Sequence, residues 1–80
     1  MLTAYIQAAM RHAKYEILPD DGTYYGEIPE LPGVAANADT PEACRQELQS
    51  VLEGWIALGL RLNHPIPAID GITLALEKVG

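Results

Sequence analysis

The side chains of this chain that could do chemistry are few and far apart. Among 80 residues there is one cysteine, Cys44, one serine, Ser50, and two histidines, His12 and His64, beside eleven acids. Cys44 follows a helix start by about one turn, where the local field favours a thiolate. It also shares an apolar stripe with Leu48 and Val51, and that spacing favours a small buried hydrophobe. Neither histidine stands in a metal motif such as HExxH, so both read as structural or surface groups. Ser50 falls mid-helix, not on the strained elbow that a hydrolase nucleophile needs.

The carboxylates are the remaining candidates, because converging acids can hold Mg²⁺ for phosphoryl chemistry. Asp20 and Asp21 are adjacent in a turn, while Glu30 and Asp39 flank a short strand. Turn geometry, capping and solvation already account for acids at such places. The residues therefore assign no catalytic, cofactor-binding or metal-ligating role, and a residual metal-dependent nuclease stands only as an alternative. Gly22, Gly26 and Gly33 lack the strand-to-helix setting of a phosphate cradle. Five basic residues are scattered over three elements, so no cationic stripe marks a nucleic-acid surface. Tyr24 and Tyr25 could stack on bases, but Asp20 and Glu27 crowd the same hairpin with the wrong charge. Those tyrosines suit a protein interface better, offering rigid apolar area with a polar tip.

Among the elements that must position these groups, residues 2–14 read as an amphipathic helix, with Leu2, Ile6, Ala9, Met10 and Ala13 on one face. Residues 14–18 and 23–28 read as an antiparallel hairpin closed by Pro19-Asp20-Asp21-Gly22, whose Asp-Gly supplies a positive φ. A rigid loop, Pro29-Glu30-Leu31-Pro32-Gly33, leads to a short third strand at Val34-Ala35-Ala36-Asn37. Thr40-Pro41-Glu42 is a strong helix start. The apolar stripe Cys44, Leu48, Val51, Leu52, Trp55, Ile56 and Leu62 carries that helix to about residue 62. Pro65 and Pro67 forbid its continuation, and Asp70-Gly71 makes a turn into an alternating strand over residues 72–78. The order α-β-β-β-α-β predicts an α+β fold of one domain over residues 1–80, with a core at 15–78: an antiparallel three-stranded meander, a long helix on one face, and an added N-terminal helix.

Composition bounds the function. Apolar residues make up 49% of the chain, enough for a core, and the formal charge is −6. The charge is concentrated: Glu16, Asp20, Asp21, Glu27, Glu30, Asp39 and Glu42 give −7 over residues 16–42, with no base among them. Such a field repels phosphate backbones and favours a basic partner. No apolar stretch is long enough to span a bilayer, and the first residues lack the basic-then-apolar pattern of an export signal. A single cysteine excludes an intrachain disulfide, so a cytoplasmic setting is expected.

One segment is distinctive. Tyr24-Tyr25-Gly26-Glu27-Ile28-Pro29-Glu30-Leu31-Pro32-Gly33, followed by Asp39-Thr40-Pro41-Glu42-Ala43, Leu52-Glu53-Gly54-Trp55 and His64-Pro65-Ile66-Pro67, resembles the HicB family of antitoxins. The resemblance covers residues 15–67. It implies a truncated ribonuclease-H-like fold without catalytic carboxylates, and it marks Tyr24, Glu27, Pro29, Leu31, Pro32 and Gly33 as fold-defining. It further implies a non-enzymatic, cofactor-free protein that forms homo-oligomers (dimers or tetramers) and covers a small basic RNA-targeting toxin. Ala38 stands where the family usually has Gly, and Val34 where many members have Cys. Nothing after Gly80 supplies the family's DNA-binding segment, and helix 2–14 is additional, so the resemblance is to stand-alone members for which no direct DNA binding is expected. An oligomeric scaffold that uses the first and long helices as self-interfaces is the second expectation.

Overall fold

The computed structural model describes residues 2–74. In chain order it contains α1 (Leu2–Arg11), β1 (Lys14–Ile17), β2 (Tyr24–Glu27), β3 (Ala35–Ala38) and α2 (Pro41–Arg61). The strands form one antiparallel meander in the order β1-β2-β3, and α2 packs across β2 and β3. The α+β fold, the meander, the long helix on the sheet and the added N-terminal helix all match expectation. The closing strand expected over residues 72–78 lies mostly outside the described residues; within them, Ile72 forms an isolated antiparallel bridge with Ile69.

The N-terminal helix is shorter than the 2–14 expected from its stripe, ending at Arg11. Two forces stop it. His12 N–H donates to the Ala9 carbonyl and Ala13 N–H to that of Met10, tightening the last turn to i→i+3 spacing. Lys14 is then drawn into the sheet opposite Glu27. The helix packs within its own chain, where Tyr5, Ala8, Ala9 and Met10 are buried in the same core as Leu48, Leu52 and Ile56 of α2. The Tyr5 hydroxyl donates to the Pro67 carbonyl at 2.6 Å, so the one polar atom of this buried ring ties α1 to the segment after α2.

Both ends of α2 follow capping chemistry. Thr40 Oγ1 accepts from Ala43 N–H at 3.0 Å, and Pro41 occupies the first turn, where its missing donor is not needed. At the other end Asn63 adopts φ 58°, Asn63 N–H donates to the Leu60 carbonyl, and His64 N–H donates to that of Gly59. This pair of bonds is a Schellman closure. Cys44, Leu48, Leu52 and Ile56 form the buried stripe, each one turn after the last. Leu62 departs from the expected stripe: it is 52% exposed because the chain leaves helical geometry there.

Alternation in the strands assigns two faces. Tyr15, Ile17, Tyr24, Gly26, Ala36 and Ala38 face the α2 side, in a register that sets Tyr15 opposite Gly26 and Gly26 opposite Ala36. Gly26 is required by close approach. A Cβ there would lie 2.8 Å from two Tyr15 ring carbons and 3.2 Å from Cys44 Sγ. Absence of that methyl lets the Tyr15 ring cross β2 and lets α2 settle on the sheet. β3 begins one residue later than expected, because Val34 is buried and engaged in the preceding turn through its bond to Leu31.

Candidate functional site

The opposite face of the sheet carries Lys14 and Glu16 on β1, Tyr25 and Glu27 on β2, and Ala35 and Asn37 on β3. Neither described helix packs on it, because α1 is engaged with α2, and α2 lies against the other side. Its polar groups are organised. The Tyr25 hydroxyl donates to Glu27 at 3.1 Å, and that carboxylate holds the phenol above its ordinary pKa. Asn37 Nδ2 donates to Thr23 Oγ1 and to the Tyr24 carbonyl, and Thr23 donates through both its hydroxyl and its N–H to Asp21. This relay fastens the hairpin turn to β3. The Thr23 donors also hold the Asp21 carboxyl below the usual range, so it stays charged at the rim.

At the far end of the sheet the loop after β2 folds into two successive turns. Leu31 N–H donates to the Ile28 carbonyl and Val34 N–H to that of Leu31. Ile28, Leu31 and Val34 point into the core, while Pro29, Glu30, Pro32 and Gly33 remain exposed. Gly33 has φ 95°, a conformation that side chains with a Cβ resist. The turn borders a shallow groove of about 350 Å³ shared with Tyr25, Glu27 and Ala35. A second groove, of about 330 Å³, lies on the α2 side of β1 between Tyr15, Ile17, Tyr24, Pro41 and Arg45.

Cys44 is buried, with its sulfur 3.7 Å from the Ala36 carbonyl, and burial pushes the thiol pKa up. That environment suits packing and disfavours a nucleophilic thiolate. His64 is exposed beyond the end of α2, and Ser50 is exposed on α2. Among the described residues no three His, Cys, Asp or Glu side chains converge as metal ligands, so Asp20, Asp21, Glu30 and Asp39 are not gathered into one centre.

His12 is the group the sequence undervalued. Its Nδ1 lies 2.7 Å from Glu30 Oε2 and its Nε2 lies 2.7 Å from Asp70 Oδ1, with Arg11 adding a longer contact of 3.6 Å to Asp70. The bonds to Glu30, then to Asp70, raise the imidazole pKa, and His12 in turn lowers that of Glu30. One side chain thereby clasps the end of α1, the loop after β2 and the turn at Asp70-Gly71. The partners lie 18 and 58 residues away, and no local spacing could have announced them.

Known proteins supply the remaining context. The fold closely matches the crystal structure of TTHA0281 from Thermus thermophilus, with a TM-score of 0.90 and 38% sequence identity over 96% of this chain and 95% of that one. No curated protein matches the chain. A family model for UPF0150-like proteins matches residues 4–67, which takes in α1, the meander, the signature turn and α2. With the family model and the fold agreeing over most of its length, the chain belongs to the UPF0150-like family.

Proposed function

We propose that this protein is a HicB-like, antitoxin-like binding module, without catalytic activity of its own, that masks a small basic RNA-targeting toxin. The observation that carries this reading is the open sheet face. It carries Glu16, Tyr25 and Glu27 beside a single base, Lys14, with Asp20 and Asp21 on the turn at its rim, so acids outnumber the base. A cationic protein is the partner such a face fits. The acids steer a basic protein toward it, Tyr25 offers a partly buried aromatic anchor, and the turn at residues 29–33 extends the contact along one edge. Inhibition would be steric and electrostatic, because a bound acidic face occupies the surface that the partner uses for RNA. The resemblance of residues 24–33 to the HicB signature supports the same reading.

Affinity purification of the tagged chain from its native host at low salt tests the proposal. The expected result is a small basic protein, released by raised salt, whose RNA cleavage stops when this chain is added. A Glu27→Lys, Tyr25→Ala variant should retain the fold and lose the partner. Recovery of the chain alone at low salt, or a partner whose activity the chain leaves unchanged, would overturn it.

A further inference from the structure

A cleft of about 610 Å³ runs between α1 and α2, on the α2 side of the sheet and away from its open face. Helical spacing builds it. Ile6 and Met10, one turn apart on α1 and the more buried of its residues, give it an apolar floor, and Arg11 stands beside them. Arg45, Gln49 and Glu53 follow one another by single turns on α2 and form the other wall. Its charge is the reverse of the molecule's. The chain carries −6 and only five bases, yet two of those bases and a single acid line this cleft. Both arginine charges are available. Arg45 makes no ion pair among the described residues, and Arg11 makes one long contact of 3.6 Å to Asp70 between well-exposed side chains, a weak kind of pair. Glu53, by contrast, already accepts from Gln49 Nε2 at 3.2 Å. The cleft is also polarised along its length. Arg11 lies three residues before β1, and Arg45 also borders the groove beside Tyr15 and Ile17, so both arginines stand toward the sheet. Glu53 lies about 12 Å further along α2.

From this arrangement we infer that the cleft binds a small organic anion, with a carboxylate or phosphate head between Arg11 and Arg45 and an apolar body on Ile6 and Met10. Guanidinium groups present paired N–H donors that match the oxygens of either head. Exposed arginines alone hold any anion weakly, because water and salt screen them. The apolar floor supplies the rest of the binding and sets the direction of the ligand, from the arginines toward Glu53. The volume lies within the range of about 300–1,000 Å³ usual for small-molecule sites. Charge selects a compact ligand over a polymer. A nucleic acid reaching this cleft would extend its phosphates over a molecule that is acidic elsewhere, and residues 16–42 alone carry seven acids and no base. A single head group meets only the arginines. The site is independent of the antitoxin-like reading, since the cleft and the open sheet face lie on opposite sides of the sheet.

NMR titration of the full chain with octanoate, octyl phosphate and uncharged octanol provides the test. At least one of the two anions should bind saturably, with a dissociation constant below about 1 mM, and shift the resonances of Ile6, Met10, Arg45 and Gln49. The stronger of the two identifies the head group. Octanol should bind about tenfold more weakly or not at all. Arg45→Gln should weaken the anion by about tenfold, whereas Arg61→Gln, which removes the same charge from α2 outside the cleft, should leave it unchanged. Circular dichroism checks that both variants keep their fold, and both positions are exposed. Absence of saturable binding by either anion would overturn the inference. So would shifts centred elsewhere, octanol binding as tightly as the anions, or equal losses in Arg45→Gln and Arg61→Gln.

Discussion

His12 shows how one titratable side chain can bind three separate segments. Its charged form donates to Glu30 and Asp70 at once, so protonation and the clasp are linked. Because the folded pKa is raised, the clasp stabilises the fold fully below the unfolded imidazole pKa of about 6.5 and is lost as pH rises through the higher folded value. The lowered Glu30 value sets the other limit, its contribution being lost as pH falls through the folded carboxyl pKa. Denaturation at a series of pH values should show stability declining as pH rises past the ordinary imidazole value, and His12→Gln should flatten that decline. An NMR titration in which His12 ionises at or below the ordinary imidazole value would contradict this. Gly26 has a steric role at the same scale. Gly26→Ala places a methyl against the Tyr15 ring and Cys44, and should destabilise by about 1–3 kcal/mol in urea unfolding. In the sequence the glycine stood out only as part of the distinctive segment at residues 24–33. Its need for close approach depends on Tyr15, eleven positions earlier, and on Cys44, eighteen later.

At the scale of elements, α2 was the most legible part of the chain. Thr40-Pro41-Glu42 opens it and Asn63 with Pro65 closes it, because capping acts through groups a few residues apart. Asn63 tolerates the left-handed conformation that ends the helix, so Asn63→Ala should cost about 1 kcal/mol while Asn63→Gly should cost nothing measurable. Equilibrium unfolding of the two variants, compared at unchanged m, separates them. The Asp70-Gly71 turn was equally readable: both residues have positive φ, and Ile69 and Ile72 bond to each other across it, as in a type I′ turn. The end of α1 was less legible. Its stripe runs on to Ala13, but the sheet claims Lys14 and the clasp claims His12. Helical periodicity cannot report a competition between a last helical turn and a first strand pair.

For the whole molecule, size is the governing constraint. An 80-residue domain holds a stability of only about 4–12 kcal/mol. Burial of Tyr5 and Met10 is worth about 2–3 kcal/mol each by apolar area. Deleting the α1 residues should therefore abolish cooperative thermal unfolding and expose the apolar faces of Leu48, Leu52 and Ile56, detectable as binding of a hydrophobic dye. Size bears on recognition too. Strands of four residues span about 13 Å, so the open face of the three-stranded sheet covers about 200 Å². A stable protein interface needs about 800 Å² from each partner, which the face reaches only with its flanking turns.

What the sequence determined by itself was local and periodic: the hairpin and its turn, the capped long helix, the α+β class, the concentration of acid over residues 16–42 and the burial of Cys44. Each follows from interactions within a turn or from a repeat along one element. Tertiary structure alone decided that α1 buries Tyr5, Ala8, Ala9 and Met10 while Leu2 of the expected stripe stays exposed, that His12 meets Glu30 and Asp70, and which sheet face the described helices leave uncovered. Those outcomes depend on contacts between residues far apart in the chain. Register and packing must first bring them together, and only then does a charge or an exposed side chain acquire a neighbour or remain available to one.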